Sequence, residues 1–259
     1  MIANYYFRFD LPLVCTAIHN GHEMSPDWQA NLAITNKNRS REEDQHTGFF
    51  TEFCNNRIIG RYTRFECDLN RHPRKTIYLK PKDAWGLTVR KEPPTPEMVR
   101  AAKAKYQMFY RRTGRMLREM ERTFGRFLLL DLHSYNHRRK GADGEIANQE
   151  KNPEIIIGTS TMPENRMPLA EILQDKITSY DFYGGSIDAR INVKFPGGHF
   201  SRWVISHFPD AIVFAIEFKK IWMDEWTGKV DKEKQTKMRE ALELAVPELL
   251  KTMNDKAYD

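Results

Sequence analysis

The chain has 259 residues, of which 40% are hydrophobic and 12% aromatic, so it can bury the core of one large domain or two small ones. The formal charge of +6 permits an acidic partner, but acids and bases are interleaved along most of the sequence. No apolar run approaches a membrane span, the first six residues lack a signal-peptide pattern, and three cysteines do not suggest a disulfide framework. These features favour a cytoplasmic protein with reduced thiols, and the densest basic cluster, residues 137–140, is interpreted as a solvated loop.

The N-terminal part of the chain predicts one strand, one helix start and a polar segment. The strand covers residues 11–18 (LPLVCTAI) and ends in the polar residues 19–23 (HNGHE). Ser25 as N-cap and Pro26 at the first helical position predict that a helix begins there. Residues 36–48 are rich in Arg, Asn and Glu, so we expect an exposed loop or a mobile helix.

The central part predicts a helix that leads into a buried strand. Apolar and polar side chains first alternate within residues 58–71, which predicts a half-buried strand. Thr95 as N-cap, followed by apolar residues mostly three, four or seven apart, predicts a long helix that ends at Gly125. Residues 127–132 (FLLLDL) follow at once and are typical of a strand buried on both faces. This succession predicts an α/β sheet.

The C-terminal part continues the alternation of strands and helices. Strands are predicted at residues 155–158, 191–195 and 212–218, and helices at residues 169–179 and 232–253, with Pro247 breaking or kinking the last helix. The chain contains no internal repeat and no low-complexity segment. We therefore expect residues 1–259 to form a single domain.

Polar side chains follow the predicted strands, where ligands gather in open α/β sheets. Asp131 and His133 are two residues apart on a strand and face the same way. His19, His22 and Glu23 follow the first strand and would share a face on a helical turn. Catalytic zinc usually takes three His or carboxylate ligands and leaves a position for water, so these residues are candidate ligands. Alternatively, His19 and His22 cap a loop.

Two further positions suggest chemistry at the same site. Glu217 is the only acid in the apolar run 212–218, and a buried carboxylate is costly unless it is paired or functional. It could act as a general base or form a salt bridge with one of the many arginines. Asn70 and Arg71 offer an amide donor and a planar fork that matches a carboxylate, although they could equally be a turn Asn beside a surface Arg.

Six segments occur in an order that resembles the N-formylglutamate amidohydrolase family, which is similar in fold and site to the zinc carboxypeptidases. They are residues 17–23 (AIHNGHE), 64–71 (RFECDLNR), 130–135 (LDLHSY), 152–159 (NPEIIIGT), 192–198 (NVKFPGG) and 216–225 (IEFKKIWMDE). The resemblance implies a phosphorylase/hydrolase-like, three-layer α/β/α fold with a mixed central sheet. It also implies a divalent metal, most often zinc, and hydrolysis of the N-acyl amide bond of an amino acid such as N-formyl-L-glutamate.

The resemblance also implies a ligand set. His19 and His133 look like metal ligands. Zinc carboxypeptidases place a ligand Glu three residues after the first His, and here that position is His22, with Glu23 one step later. We expect Glu23 to be the third ligand because it preserves the carboxylate, with His22 as the alternative.

By the same resemblance, Glu217 looks like the general base, Asn70 and Arg71 like the carboxylate clamp, and Ser134 and Tyr135 like further substrate-binding positions. The expected partner is a small N-acyl amino acid or a short peptide, and neither nucleic acid nor a membrane. The same residues would also suit a zinc carboxypeptidase-like peptidase or another N-acyl amino-acid deacylase. A non-enzymatic basic binding module and an inactive family member are the remaining alternatives.

Overall fold

The computed structural model describes residues 1–255 and 258, and a seven-stranded sheet forms its centre. The strands are β1 (Ala3–Tyr6), β2 (Leu13–Ala17), β3 (Arg57–Gly60), β4 (Leu128–Tyr135), β5 (Ile155–Gly158), β6 (Ala189–Ile191) and β7 (Ile212–Lys219). Their order across the sheet is β1-β3-β2-β4-β7-β5-β6. The four central strands β3, β2, β4 and β7 are parallel, β1 and β5 run antiparallel to their inner neighbours, and β6 is parallel to β5. The expected mixed α/β sheet is thus confirmed.

Helices cover both faces of the sheet and make three layers. They are α1 (Pro26–Ala30), α2 (Asn36–Glu42), α3 (Pro96–Phe124), α4 (Met167–Ser179), α5 (His199–His207) and α6 (Lys232–Thr252). Every residue of β4 is buried, and successive side chains point to opposite faces. Leu128, Leu130 and Leu132 join the core formed with α4 and α6, whereas Leu129 joins the core formed with α3 and α5.

The signals at the ends of α3 act as the sequence predicts. The Thr95 hydroxyl accepts a hydrogen bond from the Met98 amide at 3.3 Å, which satisfies one of the free donors at the helix start. Gly125 follows the last helical residue with a φ of 74°, a conformation that favours glycine. In α6 the helix continues past Pro247 to Thr252, so the proline does not break it.

Three expectations about local structure are wrong. The strand expected within residues 58–71 ends at Gly60, and the next residues form turns and loops in which Glu66 and Asp68 are buried as fully as their apolar neighbours. The strand expected at residues 191–195 lies at residues 189–191. The segment 36–48 begins with α2, which agrees with the helix alternative, but residues 42–44 are buried, so the expected exposure is wrong there.

The structure also bears on the membrane and on the cysteines. None of the helices within the described residues combines the length and the apolar character that a membrane crossing requires. Cys15, Cys54 and Cys67 are all buried and carry free thiols, as expected.

Candidate active site

The carboxyl ends of β2, β4 and β7 lie side by side and carry the candidate residues. His19 comes two residues after the last residue of β2. His133 lies within β4, and Glu217 is its direct partner on β7. Parallel strands place their carboxyl ends at the same edge of the sheet, which explains why residues far apart in sequence meet here.

Two histidines and one aspartate form a compact group at this edge. Ligand atoms of His19, Asp44 and His133 lie within 4.8 Å of one another, and all three residues are buried. Asp44 Oδ2 is 3.1 Å from His133 Nδ1 and 3.4 Å from His19 Nδ1. Two ligands of one tetrahedral zinc ion, each bonded at about 2.0–2.2 Å, are separated by about 3.4 Å. The observed separations therefore fit a zinc ion.

The far nitrogen of each imidazole is held by a second carboxylate. His19 Nε2 lies 2.7 Å from Asp68 Oδ1, and His133 Nε2 lies 3.0 Å from Asp131 Oδ2. Asp131 is itself held by the Thr16 hydroxyl, which donates to it at 2.7 Å. Carboxylates that bind the second nitrogen of a metal-ligating histidine fix the orientation of the ring and increase its basicity. Both rings are thus fixed with Nδ1 towards Asp44.

The charges in this group and the hydrogen bonding of its buried nitrogen atoms favour a bound cation. Within the described part of the chain, the buried His19 Nδ1 has no hydrogen-bond partner. Burial acts against a charge on His133, but Asp131 and Asp44 outweigh it and hold its pKa well above the usual value. Burial also acts to raise the pKa of Asp44, yet the two adjacent imidazoles lower that pKa strongly. Two imidazole nitrogens and a carboxylate held ionised are a donor set that suits zinc.

Glu23 and His22, the expected third ligands, lie outside this group. The Glu23 carboxylate is about half exposed and accepts two 2.9 Å hydrogen bonds from Arg61. The His22 ring is also about half exposed, with Nδ1 3.3 Å from Glu43. Residues 19–23 do not form the expected helical turn, because Gly21 packs directly against the Arg61 backbone and the chain then pairs with Tyr62. The carboxylate beside the two histidines is that of Asp44.

Asp44 belongs to the segment that was expected to be exposed. Its amide donates to the His19 carbonyl at 3.2 Å, which ties the segment to the end of β2. Lys220, itself buried, donates to the Arg41 and Glu43 carbonyls at 2.7 and 2.9 Å. Nothing in the local sequence marks Asp44, since it follows two other acids in a polar stretch.

Glu217 faces the same cavity without a partner. Its side chain is only partly exposed, and it forms no hydrogen bond or ion pair with any residue from 1 to 255. Burial raises its pKa to about 8, and the nearby charge of His133 opposes only part of that rise. The salt bridge that would have made Glu217 a purely structural residue is therefore not formed with these residues.

Asn70 and Arg71 also reach the cavity, although from a loop and not from a strand end. Asn70 Oδ1 accepts a hydrogen bond from the Phe200 amide at 2.9 Å, and the Asn70 side chain packs so closely on Gly198 that a Cβ there would lie 2.0 Å from it. Arg71 is about one-third exposed, and its Nη2 donates to the Asp83 carbonyl at 3.1 Å. Its Nε lies 3.7 Å from Asp68 Oδ2, so the protein holds part of the guanidinium while the residue still lines the cavity.

Helix α3 holds the backbone of this loop. The Tyr106 hydroxyl donates to the Arg71 carbonyl at 2.9 Å, and the Tyr110 hydroxyl donates to the Leu69 carbonyl at 2.6 Å. Both tyrosines are largely buried, so these hydrogen bonds are shielded from water. The position of the Asn70–Arg71 pair is thereby set by a long and regular helix.

The cavity has a volume of about 250 Å³, and its walls include Ser134 and Tyr135. Ser134 Oγ is buried and has no hydrogen-bond partner among the described residues. The Tyr135 hydroxyl donates to the Pro153 carbonyl, so this residue offers its ring face to the cavity, beside Phe195 at 5.5 Å between ring centroids. Arg64, Arg139 and Lys220 also line the cavity, so its walls carry cations as well as the acids Glu42, Asp44 and Glu217.

The chain matches one protein-family model and is similar in fold to solved structures of low sequence identity. The family model described as N-formylglutamate amidohydrolase matches residues 11–221. A solved N-formylglutamate amidohydrolase from Ralstonia eutropha is similar with a TM-score of 0.75 and 15% identity, covering 96% of this chain and 97% of its own. A gene product from Agrobacterium tumefaciens has a TM-score of 0.68 and 14% identity, covering 98% of this chain and 96% of its own. A metallo-carboxypeptidase from Burkholderia cenocepacia has a TM-score of 0.42 and 11% identity, covering 93% of this chain and 56% of its own. A search of curated proteins finds no match.

Proposed function

The chain belongs to the N-formylglutamate amidohydrolase family, and we propose that it is a metal-dependent hydrolase of the N-acyl amide bond of an amino acid such as N-formyl-L-glutamate. One observation carries the proposal: His19, Asp44 and His133 converge at the end of the sheet where Glu217 stands in register with His133. That arrangement combines a cation site with a carboxylate that has no partner among the described residues.

We assign the cation to His19, Asp44 and His133. Three features support this assignment: His19 Nδ1 faces Asp44 Oδ2 at 3.4 Å without a hydrogen-bond partner among the described residues, the ring orientations are fixed, and the donors are mixed nitrogen and oxygen atoms. Zinc, or another divalent cation, would supply a Lewis acid that polarises the acyl carbonyl and makes a water molecule more acidic. In this assignment Asp44 would be the third ligand, the role expected from the sequence for Glu23 or His22.

Glu217 is the proposed general base. A carboxylate with a pKa raised to about 8 accepts a proton more readily than an ordinary glutamate does. Glu217 would take the proton from water as the water attacks the acyl carbon. It would then return that proton to the amine as the carbon–nitrogen bond breaks, which leaves the enzyme in its starting protonation state.

Arg71 and Asn70 are the proposed clamp for the carboxylate of the amino acid. The Arg71 guanidinium lines the cavity, where Asp83 and Asp68 hold its Nη2 and Nε, and a planar fork can hold a carboxylate through two hydrogen bonds. Holding the substrate by this carboxylate would align its amide bond with Glu217 and with the cation assigned to His19, Asp44 and His133. Ser134, whose hydroxyl is buried and unpaired within the described residues, offers one further polar contact in the cavity.

The proposal is tested with Glu217→Gln, which keeps the size of the side chain and one acceptor oxygen. We expect turnover of N-formyl-L-glutamate to fall by about 100-fold or more, while zinc content and the melting temperature stay close to wild type. Glu154→Gln is a matched control, because Glu154 is also partly buried beside the same sheet but does not line the cavity. Normal turnover in folded, zinc-loaded Glu217→Gln protein would exclude Glu217 as the base.

A further inference from the structure

A second cavity adjoins the candidate active site. It has a volume of about 790 Å³, compared with about 250 Å³ for the catalytic cavity, and Asn136 and Arg139 line both. Its other walls include Lys194, Ile146 and the ion pair of Lys140 with Glu145 at 2.8 Å. A formyl group has a single carbon atom, so the acyl group of the proposed substrate does not reach into this space.

The second cavity carries positive charge that acids do not balance. Lys194 Nζ donates to Asn152 Oδ1 at 2.7 Å and forms no ion pair with any residue from 1 to 255. Arg139 contacts Glu42 at 3.3 Å, but the same carboxylate also binds Arg41 at 2.9 Å. Arg41 also binds Glu225 at 2.8 Å, so the two guanidinium groups are balanced by two acids, and Lys194 is the cation of this cavity that has no ion pair with residues 1–255. An anionic ligand would satisfy Lys194.

A buried polar group marks the passage between the two cavities. Asn136 is only 4% exposed, and its Oδ1 has no hydrogen-bond partner among the described residues. A buried amide oxygen without a partner costs free energy, which a bound ligand could recover. The Tyr135 and Phe195 rings lie nearby, with Lys194 Nζ 5.2 and 5.3 Å from their centroids, and offer apolar surface to a methylene chain.

The arrangement also indicates which part of a substrate reaches this region. Arg71 lines the catalytic cavity but not the second one, whereas Arg139 lines both. A substrate whose α-carboxylate is held by Arg71 and whose amide bond lies beside His19, Asp44 and His133 can extend beyond the catalytic cavity through its side chain or through its acyl group. We propose that the second cavity, through Lys194 and Arg139, binds a carboxylate at the far end of an acyl group larger than formyl.

This inference rests on the proposed amide hydrolysis. Water adds to the acyl carbon, the carbon–nitrogen bond breaks, and the amine leaves with one proton from that water. The products are the free amino acid and a dicarboxylic acid, whose second carboxylate was bound in the second cavity. No oxidant or further reactant is needed.

The test compares three substrates: N-formyl-L-glutamate, N-glutaryl-L-glutamate, and the neutral analogue in which the glutaryl carboxylate is a carboxamide. We expect wild-type protein to favour the glutaryl substrate over its neutral analogue by about ten-fold or more in kcat/KM, the effect of one hydrogen bond to a charged group. Lys194→Met should bring this ratio close to one, and Lys194→Arg should keep most of it. Lys151→Met is the control for net charge, because Lys151 is exposed and lines neither cavity, and it should keep the wild-type ratio.

The outcomes separate the two proposals. Failure to hydrolyse N-formyl-L-glutamate counts against the proposed function, and in that case calorimetric affinities for the glutaryl compound and its neutral analogue still decide the inference. Equal kinetics and equal affinities for this pair in wild-type protein would overturn it. A preference for the anion that survives in Lys194→Met would overturn it as well.

Discussion

The identity of the third ligand can be tested most directly by exchanging Asp44 for Asn. The substitution keeps the shape of the side chain but removes the negative charge between the two imidazoles. Asp44 Oδ2 lies 3.1 Å from His133 Nδ1 and 3.4 Å from His19 Nδ1. The proposed metal site therefore needs no carboxylate from elsewhere in the chain. We expect zinc uptake to be lost at concentrations that saturate the wild-type protein.

The size of the effect follows from the position of Asp44. Losing a residue that merely orients a ligand typically weakens metal binding by about 10- to 100-fold. Asp44 contacts both candidate ligand nitrogens, so its loss should raise the Kd for zinc by more than about 100-fold. In metal-free protein the same change removes a hydrogen bond that raises the pKa of His133, so that pKa should fall.

The assay is zinc titration with elemental analysis, combined with an NMR titration of the His133 ring in metal-free protein. Glu23→Gln is the matched control, since it also removes one carboxylate close to His19 in sequence but acts on a half-exposed pair with Arg61. Glu23→Gln should bind zinc as the wild type does. If Glu23→Gln loses zinc and Asp44→Asn keeps it, the assignment of Asp44 is refuted and the ligand expected from the sequence is restored.

Three further predictions concern substrate binding and stability. Arg71→Lys should raise KM for a carboxylate-bearing substrate by roughly ten-fold, because an ammonium cannot reproduce the guanidinium fork, and equal KM values in steady-state kinetics would contradict the clamp. Tyr106→Phe removes the hydrogen bond to the Arg71 carbonyl and should raise KM with little change in kcat. The control is Tyr5→Phe, which removes a hydroxyl that donates to the Phe109 carbonyl of α3, and it should change neither constant. Glu225→Gln should lower the free energy of unfolding by about 3 kcal/mol at pH 7, because the His137 and Arg41 hydrogen bonds outweigh burial and lower the Glu225 pKa from 4.5 to about 2. A carboxyl group whose pKa is lowered by folding stabilises the protein above pH 4.5, and this stabilisation is lost as the pH falls towards 2. Urea unfolding at several pH values should therefore show the free energies of unfolding of the two proteins converging at low pH. A difference that stays constant with pH would contradict this cause.

The central strands and long helices could be predicted because their signals are local. The apolar run before Asp131 and the cap at Thr95 each act within a few residues, and the structure contains β4 and α3 at those places. The short strand β1 and helix α5 were missed. Strand β1 has no strong period of its own and is set by its pairing with β3. In α5, by contrast, the spacing of Phe200, Trp203 and Val204 is a helical signal that could have indicated the helix.

The candidate site was predictable only where it lies on those strands. Asp131 and His133 could be placed together from the period of β4, whereas Glu217 joined them through the family resemblance. In the structure His133 and Glu217 line one cavity, and Asp131 contacts His133. His19 could be placed near the site because it directly follows the first predicted strand. The remaining groups of the site lie on loops. The helical turn considered for residues 19–23 was a local inference, and the tertiary contacts that rule it out cannot be read from the sequence.

The aspartates show why loop residues escape such reasoning. Asp131 lies two residues from the histidine that it orients, so a strand period reveals it. Asp68 and Asp44 pair with histidines 49 and 89 residues away, and no period connects them. The alternation around Asp68 even predicted a strand with polar residues exposed, whereas Asp68 is fully buried because His19, Arg64 and Tyr78 satisfy its carboxylate. An acid in a loop becomes buried through partners that the fold brings to it, so its role can be inferred only after those partners have been placed.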